Sequence, residues 1–159
     1  MSIYNYEKAI EIIKQNKSEC FFVGQRFKND IRLAEKAVGL KFSGMYKNFL
    51  EEYGAGSVGA EEIYGISSLN FENATVPNRI WYTLTERKES NLPLNLLVIY
   101  DTGGDELFCL DFNKLNEEDE PAVVAFIPGI DLKYQRYEII AEDFGDFLLD
   151  RVIDAIESI

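Results

Sequence analysis

Two short apolar runs separated by a glycine turn constrain this chain more than any other stretch. Residues 94–100 are apolar except for Asn95, and residues 107–112 are apolar except for Asp111. Runs of this length that are apolar on both faces are typical of central strands covered from both sides. Between them lies Asp-Thr-Gly-Gly-Asp at 101–105, whose glycines can take the positive φ that a tight turn requires. The sequence therefore predicts a β-hairpin in the middle of a sheet, with an acidic tip.

Hydrophobic periodicity predicts the remaining elements. Helical spacing predicts helices over 3–15, 29–38, between Ser43 and Gly54, and from about 143 to the end; alternation predicts strands near 62–66, 79–85, 95–101, 106–112 and 122–127, with a short strand at 136–140. Helices, then strands, then a last helix are typical of an α+β fold. We predict a single domain over residues 1–159, with a mostly antiparallel central twisted sheet of about five to six strands flanked by N-terminal helices and a C-terminal helix.

Residue preferences mark the helix ends and the core. Predicted caps are Asn29 or Asp30 for the second helix, Ser43 for the third and Asp143 for the last, and Gly39 and Gly54 end the second and third. The apolar stripes place Phe49, Leu50, Phe147 and Leu148 in the core. Residues 20–23 are interpreted as a short apolar link.

The residue types needed by several common catalytic sites are missing. The chain has no histidine, which excludes Ser-His and Cys-His nucleophile pairs and histidine-containing zinc sites. Residues 54–59 match G-x-G-x-x-G, but a dinucleotide loop follows a strand and opens a helix, whereas this one follows a helix and leads into a strand. We interpret it as a helix stop followed by a flexible loop, and we predict no cofactor and no metal.

Charge is distributed unevenly along the chain. Residues 1–100 hold 12 acidic and 12 basic side chains, whereas residues 101–159 hold 16 acidic and 4 basic, so the whole net charge of −12 lies after residue 100. An acidic field repels nucleic acid and anionic membranes and attracts a basic partner. The sequence leaves open the simpler interpretation, that these residues only keep the protein soluble.

Four carboxylates lie close in sequence around the hairpin, namely Asp101, Asp105, Glu106 and Asp111. Paired carboxylates serve glycosidases and bind cations, although this spacing does not fit the calcium-loop pattern. We favour the alternative that Asp101 and Asp105 accept hydrogen bonds from turn amides. Like charges that face each other across the hairpin mouth are unfavourable, and a basic protein partner would relieve that cost.

Nothing in the sequence predicts export or membrane insertion. No apolar run approaches the ~20 residues of a membrane helix, and the first residues lack the basic start and apolar core of a signal peptide. Cys20 and Cys109 form no metal or redox motif. Reduced thiols in the cytoplasm are the simplest interpretation, so we expect a cytoplasmic protein.

A series of glycine and apolar positions resembles a known family. The pattern runs Ile31-x-x-Ala34-Glu35-x-x-x-Gly39-Leu40-x-Phe42, Tyr46-x-x-Phe49-Leu50-x-x-Tyr53-Gly54, Ile63-Tyr64-Gly65-Ile66, the Gly103-Gly104 hairpin with Leu110-Asp111, Pro121-x-Val123-Val124 and Phe144-x-x-Phe147-Leu148. In order and spacing, over about residues 28–150, it resembles the SUKH superfamily in its Smi/Knr branch. One departure is Ser43-Gly44, where the family often has a proline that opens the third helix.

The resemblance implies an α+β fold with a mostly antiparallel central sheet and flanking helices. Many bacterial members are immunity proteins that bind and neutralise polymorphic toxins, often nucleases, and fungal relatives are regulatory interaction proteins. We therefore expect a non-enzymatic bacterial immunity protein whose partner is a basic toxin domain. The alternatives are a regulatory protein-interaction module without a toxin partner and a carboxylate-based enzyme. The oligomeric state stays open.

The matched positions describe the scaffold, so the contact surface has to be predicted from charge. We place it at the hairpin tip, with Glu61, Glu62, Tyr64, Trp81, Asp101, Asp105 and Glu106 as the partner-binding residues. Exposed carboxylates steer a basic partner, and aromatic residues are enriched at interfaces. In strands such aromatic residues also serve as core or edge packing, which is the alternative for the two aromatic members of this set.

Overall fold

The computed structural model describes residues 2–67 and 79–159, without the side chains of Ser2, Arg79 and Trp81. The elements in chain order are α1 (Ser2–Gln15), β1 (Cys20–Phe22), α2 (Lys28–Val38), α3 (Gly44–Tyr53), β2 (Gly56–Val58), β3 (Glu61–Ile63), α4 (Arg79–Glu89), β4 (Leu96–Asp101), β5 (Leu107–Leu115), β6 (Pro121–Phe126), β7 (Ile139–Ala141) and α5 (Phe144–Glu157). Short 3-10 helices cover Lys17–Glu19 and Leu132–Tyr134. None of the helices described is long and apolar enough to cross a membrane.

The strands form two antiparallel sheets. Three strands pair in the order β1-β2-β3, and four pair in the order β4-β5-β6-β7. The predicted α+β fold, with antiparallel strands between N-terminal helices and a C-terminal helix, is confirmed. The central sheet has four strands instead of five or six, because β3 belongs to the other sheet and residues 79–85 are helical. Just after β3, the Tyr64 N–H donates to the Ile99 carbonyl (2.9 Å) and brings the two sheets together.

Residues 79–85, predicted as a strand, belong to α4, so that prediction was wrong. Their β-branched and aromatic composition favours strands, but Ile80 and Thr83 are 1% and 0% exposed at helical spacing. The Thr83 hydroxyl accepts a hydrogen bond from the Val98 N–H (3.0 Å). The helix therefore covers the outer edge of β4 and provides a hydrogen-bond acceptor for a strand amide. The stability gained by this packing outweighs the local preference for a strand.

The predicted link at 20–23 and the flexible loop at 54–59 contain β1 and β2, so both interpretations were wrong in part. Phe21 lies opposite Ser57 in the paired register. A Cβ on Gly56 would lie 2.1 Å from the Phe21 carbonyl oxygen, so this glycine is what permits the two backbones to approach. Strands of three residues are too short to produce a periodic pattern, which is why the sequence did not indicate them.

The β4–β5 hairpin is buried on both faces, as the apolar runs predicted. On one face Leu97, Ile99 and Leu110 join the main core with residues of α1, α2, α3 and α5. That core includes the four residues predicted from the helix stripes, Phe49, Leu50, Phe147 and Leu148, which are at most 1% exposed. The other face forms a second cluster that includes Leu96, Val98, Cys109 and Val124.

Most of the predicted helix ends are confirmed. The Asp143 carboxylate caps α5 by accepting from the Asp146 N–H (3.1 Å). Gly39 and Gly54, at φ 70° and 73°, end α2 and α3. The predicted cap of α2 was wrong by two or three residues, because the helix begins at Lys28 and Asp30 instead accepts from the Phe27 N–H (3.0 Å).

The start of α3 is capped from a distant part of the chain. Ser43 precedes the helix but makes no side-chain capping bond. The buried Glu120 carboxylate, 8% exposed, accepts instead from the Met45 N–H, with both oxygens 3.4 Å away. Gly44 makes room for it, since it has φ 61° and its added Cβ would lie 1.7 Å from Glu120 Oε2. The loop before β6 is thereby fixed to the first turn of α3.

We predict that Gly44→Ala destabilises the protein more than Gly39→Ala. Both glycines have positive φ, but Gly39 has open space where its Cβ would lie. The Gly39 variant should therefore lose only the ~1–2 kcal/mol of the left-handed conformation. The Gly44 variant should lose at least ~1 kcal/mol more, because the Glu120 carboxylate must leave the Met45 amide. Urea unfolding measures both free energies.

A double-mutant cycle with Glu120→Ala identifies the cause. In the Glu120→Ala background, Gly44→Ala should lower the free energy of unfolding no more than Gly39→Ala does. The reason is that Gly44 and Glu120 are in contact, so their effects on stability are coupled. An unchanged extra cost in that background would show that Glu120 is not what Gly44 accommodates.

We also predict that Glu120→Gln changes the pH dependence of stability. Burial raises the pKa of Glu120, Asp143 and Glu118 raise it further, and the Met45 amide lowers it in part. The folded state therefore holds this proton more tightly than the unfolded chain, so wild type loses stability as pH rises through the raised pKa. Urea unfolding from pH 4 to 7 should show the Gln variant gaining on wild type. A constant difference would contradict this, and Glu117→Gln controls for the loss of one carboxylate from the same loop.

Candidate functional site

The hairpin tip is built by its own side chains. The Asp101 carboxylate accepts from the Gly103 N–H (2.8 Å), and the Thr102 hydroxyl accepts from the Gly104 N–H (3.2 Å) and donates to the Glu106 carbonyl (2.8 Å). Gly103 has φ 80°, which a residue with a side chain rarely adopts. The prediction that a turn aspartate accepts turn amides is thus confirmed for Asp101. Asp105 is exposed at the end of the turn.

An irregularity in β4 separates the side chains near the tip. Val98 pairs with Cys109 and Tyr100 with Phe108, so Ile99 is an extra residue. Ile99 and Tyr100 consequently both face the main core. The Tyr100 ring then reaches α5, packing 5.7 Å from Phe147.

Glu61 is held within the molecule by a small network. The Tyr100 hydroxyl donates to its carboxylate, and Arg151 lies 3.7 Å away (Nη1 to Oε1). The Arg151 guanidinium also lies over the Tyr100 ring at 5.5 Å and bonds Asp154 at 3.0 Å. Burial raises the pKa of Tyr100, the bond to Glu61 raises it further, and Arg151 opposes the shift. Glu61 therefore has a cation beside it before any partner arrives.

Tyr64, one of the two predicted aromatic residues, is buried next to Tyr82. Tyr64 is 5% exposed and its ring packs 5.7 Å from that of Tyr82 on α4. The Tyr82 hydroxyl donates to Asp101 Oδ2 (3.4 Å). Tyr64 offers too little surface for contact with a partner, because it belongs to the second core cluster. Trp81 lies on α4, and its side chain is outside the description.

The structure brings only part of the predicted set to one open surface. Asp105 and Gly104 border a groove of about 440 Å³ whose other side is formed by residues 127–130, and Glu106 is half-buried beside them. Glu62 lies elsewhere, on the three-stranded sheet opposite Ser57, where it borders a cleft of about 120 Å³. We call Asp101, Asp105 and Glu106 the hairpin tip.

One of the four hairpin carboxylates, Asp111, lies away from the other three. Asp111 pairs with Leu96, at the far end of β4 from Asp101. It is 4% exposed and accepts from the Asn95 side-chain amide (2.8 Å) and the Asn113 N–H (2.9 Å), so its role is structural. Within residues 2–67 and 79–159, no group of three or more metal-ligating side chains could hold a metal ion.

Comparison with known families agrees with this fold. The family model SUKH_6, described as SMI1-KNR4 cell-wall, matches residues 28–148. The chain belongs to this family. The match spans every element from α2 to the first turn of α5, and it leaves out α1, which packs on α5 with Tyr6 6.4 Å from Phe144. The resemblance seen in the glycine and apolar positions is thus confirmed.

Two features of the molecular surface were not predicted from the sequence. One is Arg151, a single cation in an acidic helix, whose contact with Glu61 joins α5 to β3. The other is the apolar part of a second surface at the far end of β5, where Leu115 and Ile139 lie beside Glu117 and Glu118. The acidic run at 117–120 is plain in the sequence. Nothing indicated that Leu115, just beyond the predicted strand at 106–112, and Ile139, within the one predicted at 136–140, would be exposed.

Proposed function

We propose that this SUKH-family chain is a non-enzymatic immunity protein that binds and neutralises a cognate polymorphic toxin through an acidic surface. A toxin nuclease is the first class to test, since a nuclease needs a basic surface for its own substrate. An acidic inhibitor carries negative charge, as the nucleic-acid substrate does, and therefore suits the same basic surface. The proposal places the protein in the bacterial cytoplasm, where a toxin with such a substrate would have to be stopped.

The observation that carries the proposal is the charge distribution on this scaffold. Family membership is consistent with a protein-binding role, and all of the net charge of −12 lies after residue 100. The buried carboxylates of this half have internal partners, as Asp111, Glu120 and Asp143 do. Many others are exposed, which favours attraction of a basic partner over long range.

A regulatory protein-interaction module without a toxin partner is the second candidate. It would use the same acidic surface, so the two functions differ in the partner and not in the geometry. Co-expression with a candidate toxin encoded by a neighbouring reading frame separates them. Restored growth and a purified complex would support immunity. If neither is observed, the regulatory module becomes the better proposal.

Within the proposal, the hairpin tip supplies charges that speed association. We predict that Asp105→Lys with Glu106→Lys slows association with the toxin domain at low salt and flattens its salt dependence, because steering by exposed charges is screened by ions. Asp105 is exposed and Glu106 is half-buried, so the melting temperature should change little. Stopped-flow or surface-binding kinetics at two salt concentrations measure the effect. Wild-type rates and salt slope in the variant would exclude the tip.

We further predict no turnover by the purified protein against nucleic acid, glycoside or ester substrates. The reason is that the chain has no histidine. In addition, Asp111 accepts a hydrogen bond from Asn95 at the opposite end of β4 from Asp101. Substrate screens with product detection test this. Activity that disappears in the Asp105→Asn variant would support the carboxylate-based enzyme instead.

A further inference from the structure

A groove lies at the end of the four-stranded sheet opposite the hairpin tip. It has a volume of about 670 Å³ and is lined by Lys114, Leu115, Asn116, Glu117, Glu118, Ala122, Ile139 and Glu142. This volume is within the ~300–1,000 Å³ of clefts that bind ligands. β5 runs from the tip to the groove, so the two surfaces are about 27 Å apart for a nine-residue strand.

The floor of the groove is apolar. Leu115 pairs with Pro121 at the start of β6, and Ile139 of β7 pairs with Val124. The small Ala122 lies on β6 between these neighbouring strands and leaves a depression between them. Leu115 and Ile139 are 52% and 60% exposed, whereas Ala122 is 9% exposed. Two large apolar side chains thus stand open on either side of a shallow floor.

The rim of the groove is acidic. Glu117, Glu118 and Glu142 are exposed, and Lys114 is the cation among the lining residues. Among the residues described, none of these three glutamates forms an ion pair. A cation placed in the groove would meet this negative field.

The groove is formed before any partner binds. The Asn116 side-chain oxygen accepts from the N–H groups of Glu118 (2.9 Å) and Glu120 (3.0 Å). Its side-chain nitrogen donates to Asp143 Oδ2 (3.2 Å), which ties the loop to the start of α5. A preformed site avoids much of the entropy cost of ordering a loop on binding.

We propose that this groove binds a basic, extended segment of a protein partner, with an apolar side chain against Leu115 and Ile139 and lysine or arginine side chains at Glu117, Glu118 and Glu142. In an extended segment, alternate side chains point to opposite sides, so apolar and basic residues can separate between floor and rim. This proposal rests on the proposed function in one respect, namely that the partner is a protein. In it, the tip speeds association and the groove prolongs the complex.

Charge and ligand chemistry exclude the other occupants. Nucleic acid carries phosphates that this rim would repel. A second copy of a chain with net charge −12 would bring mostly like charge to the groove. A metal ion lacks a suitable ligand group, since none is found among the residues described. A basic segment with apolar residues satisfies both the rim and the floor.

The test uses a synthetic peptide and needs no toxin. The probe is acetyl-Gly-Ser-Lys-Leu-Lys-Leu-Lys-Ser-Gly-amide, titrated into the ¹⁵N-labelled full chain by NMR. One control peptide replaces both leucines by serine, and another replaces the lysines by glutamate. We expect amide shifts centred on 114–118 and 139–142, binding at least about tenfold weaker for the serine peptide, and none for the glutamate peptide. Shifts centred elsewhere, or equal binding of the serine peptide, would overturn the proposal.

Matched variants separate the groove from general acidity. Glu117→Lys with Glu118→Lys and Asp105→Lys with Glu106→Lys make the same charge change at opposite ends of β5. The first should weaken peptide binding about tenfold and the second by no more than about twofold. Equal effects would mean that only net charge matters and would overturn the groove. Thermal melting confirms that both variants fold, and Leu115→Ser tests the floor without changing charge.

The outcome is distinguishable from that of the proposed function. If the peptide binds in the groove but the neighbouring toxin neither binds nor is neutralised, the groove stands and the immunity role fails. If the toxin is bound equally well by wild type and by the Glu117→Lys, Glu118→Lys variant, the immunity role stands and the groove is overturned.

Discussion

Burial of the β4–β5 hairpin on both faces is the constraint on which the rest of this structure depends. A strand pair with Leu97 and Ile99 on one face and Leu96 and Val98 on the other cannot leave either face in water. Helices α3 and α5 therefore pack on one side. On the other, α4 covers the edge of β4 and completes its hydrogen bonding through Thr83. The first sheet is joined to the hairpin at the Ile99 carbonyl.

The acidic half of the chain divides into two populations with different physical roles. Asp111, Glu120 and Asp143 are buried, and each accepts hydrogen bonds from amides of distant or neighbouring elements. Burying a carboxylate is costly unless it is hydrogen-bonded, so these groups hold loops and helix starts in place. Most of the remaining carboxylates lie at the surface, where they set up a negative field. Net charge alone would not have separated the two.

The strand β5 links the two open acidic surfaces while keeping them apart. At its start lies the hairpin tip, where Asp105 is exposed and Asp101 is committed to turn amides and to Tyr82. At its end, Leu115 adds apolar surface to an acidic rim. Charge at an exposed turn suits steering, and an apolar groove with charges at its border suits retention of a bound segment.

The sequence by itself determined helices α1, α2, α3 and α5, the central hairpin, its double-sided burial and the family, because these follow from residue patterns that repeat along continuous segments. It could not determine α4, because Ile80 to Leu84 suit a strand as well as a helix and only packing against β4 decides between them. It also placed Tyr64 at the contact surface, whereas the second core cluster encloses it. The Glu120 cap on α3 joins residues 75 positions apart, and the groove combines β5, β6 and β7. Such features arise only when the chain brings distant residues together, so the tertiary structure alone decided them.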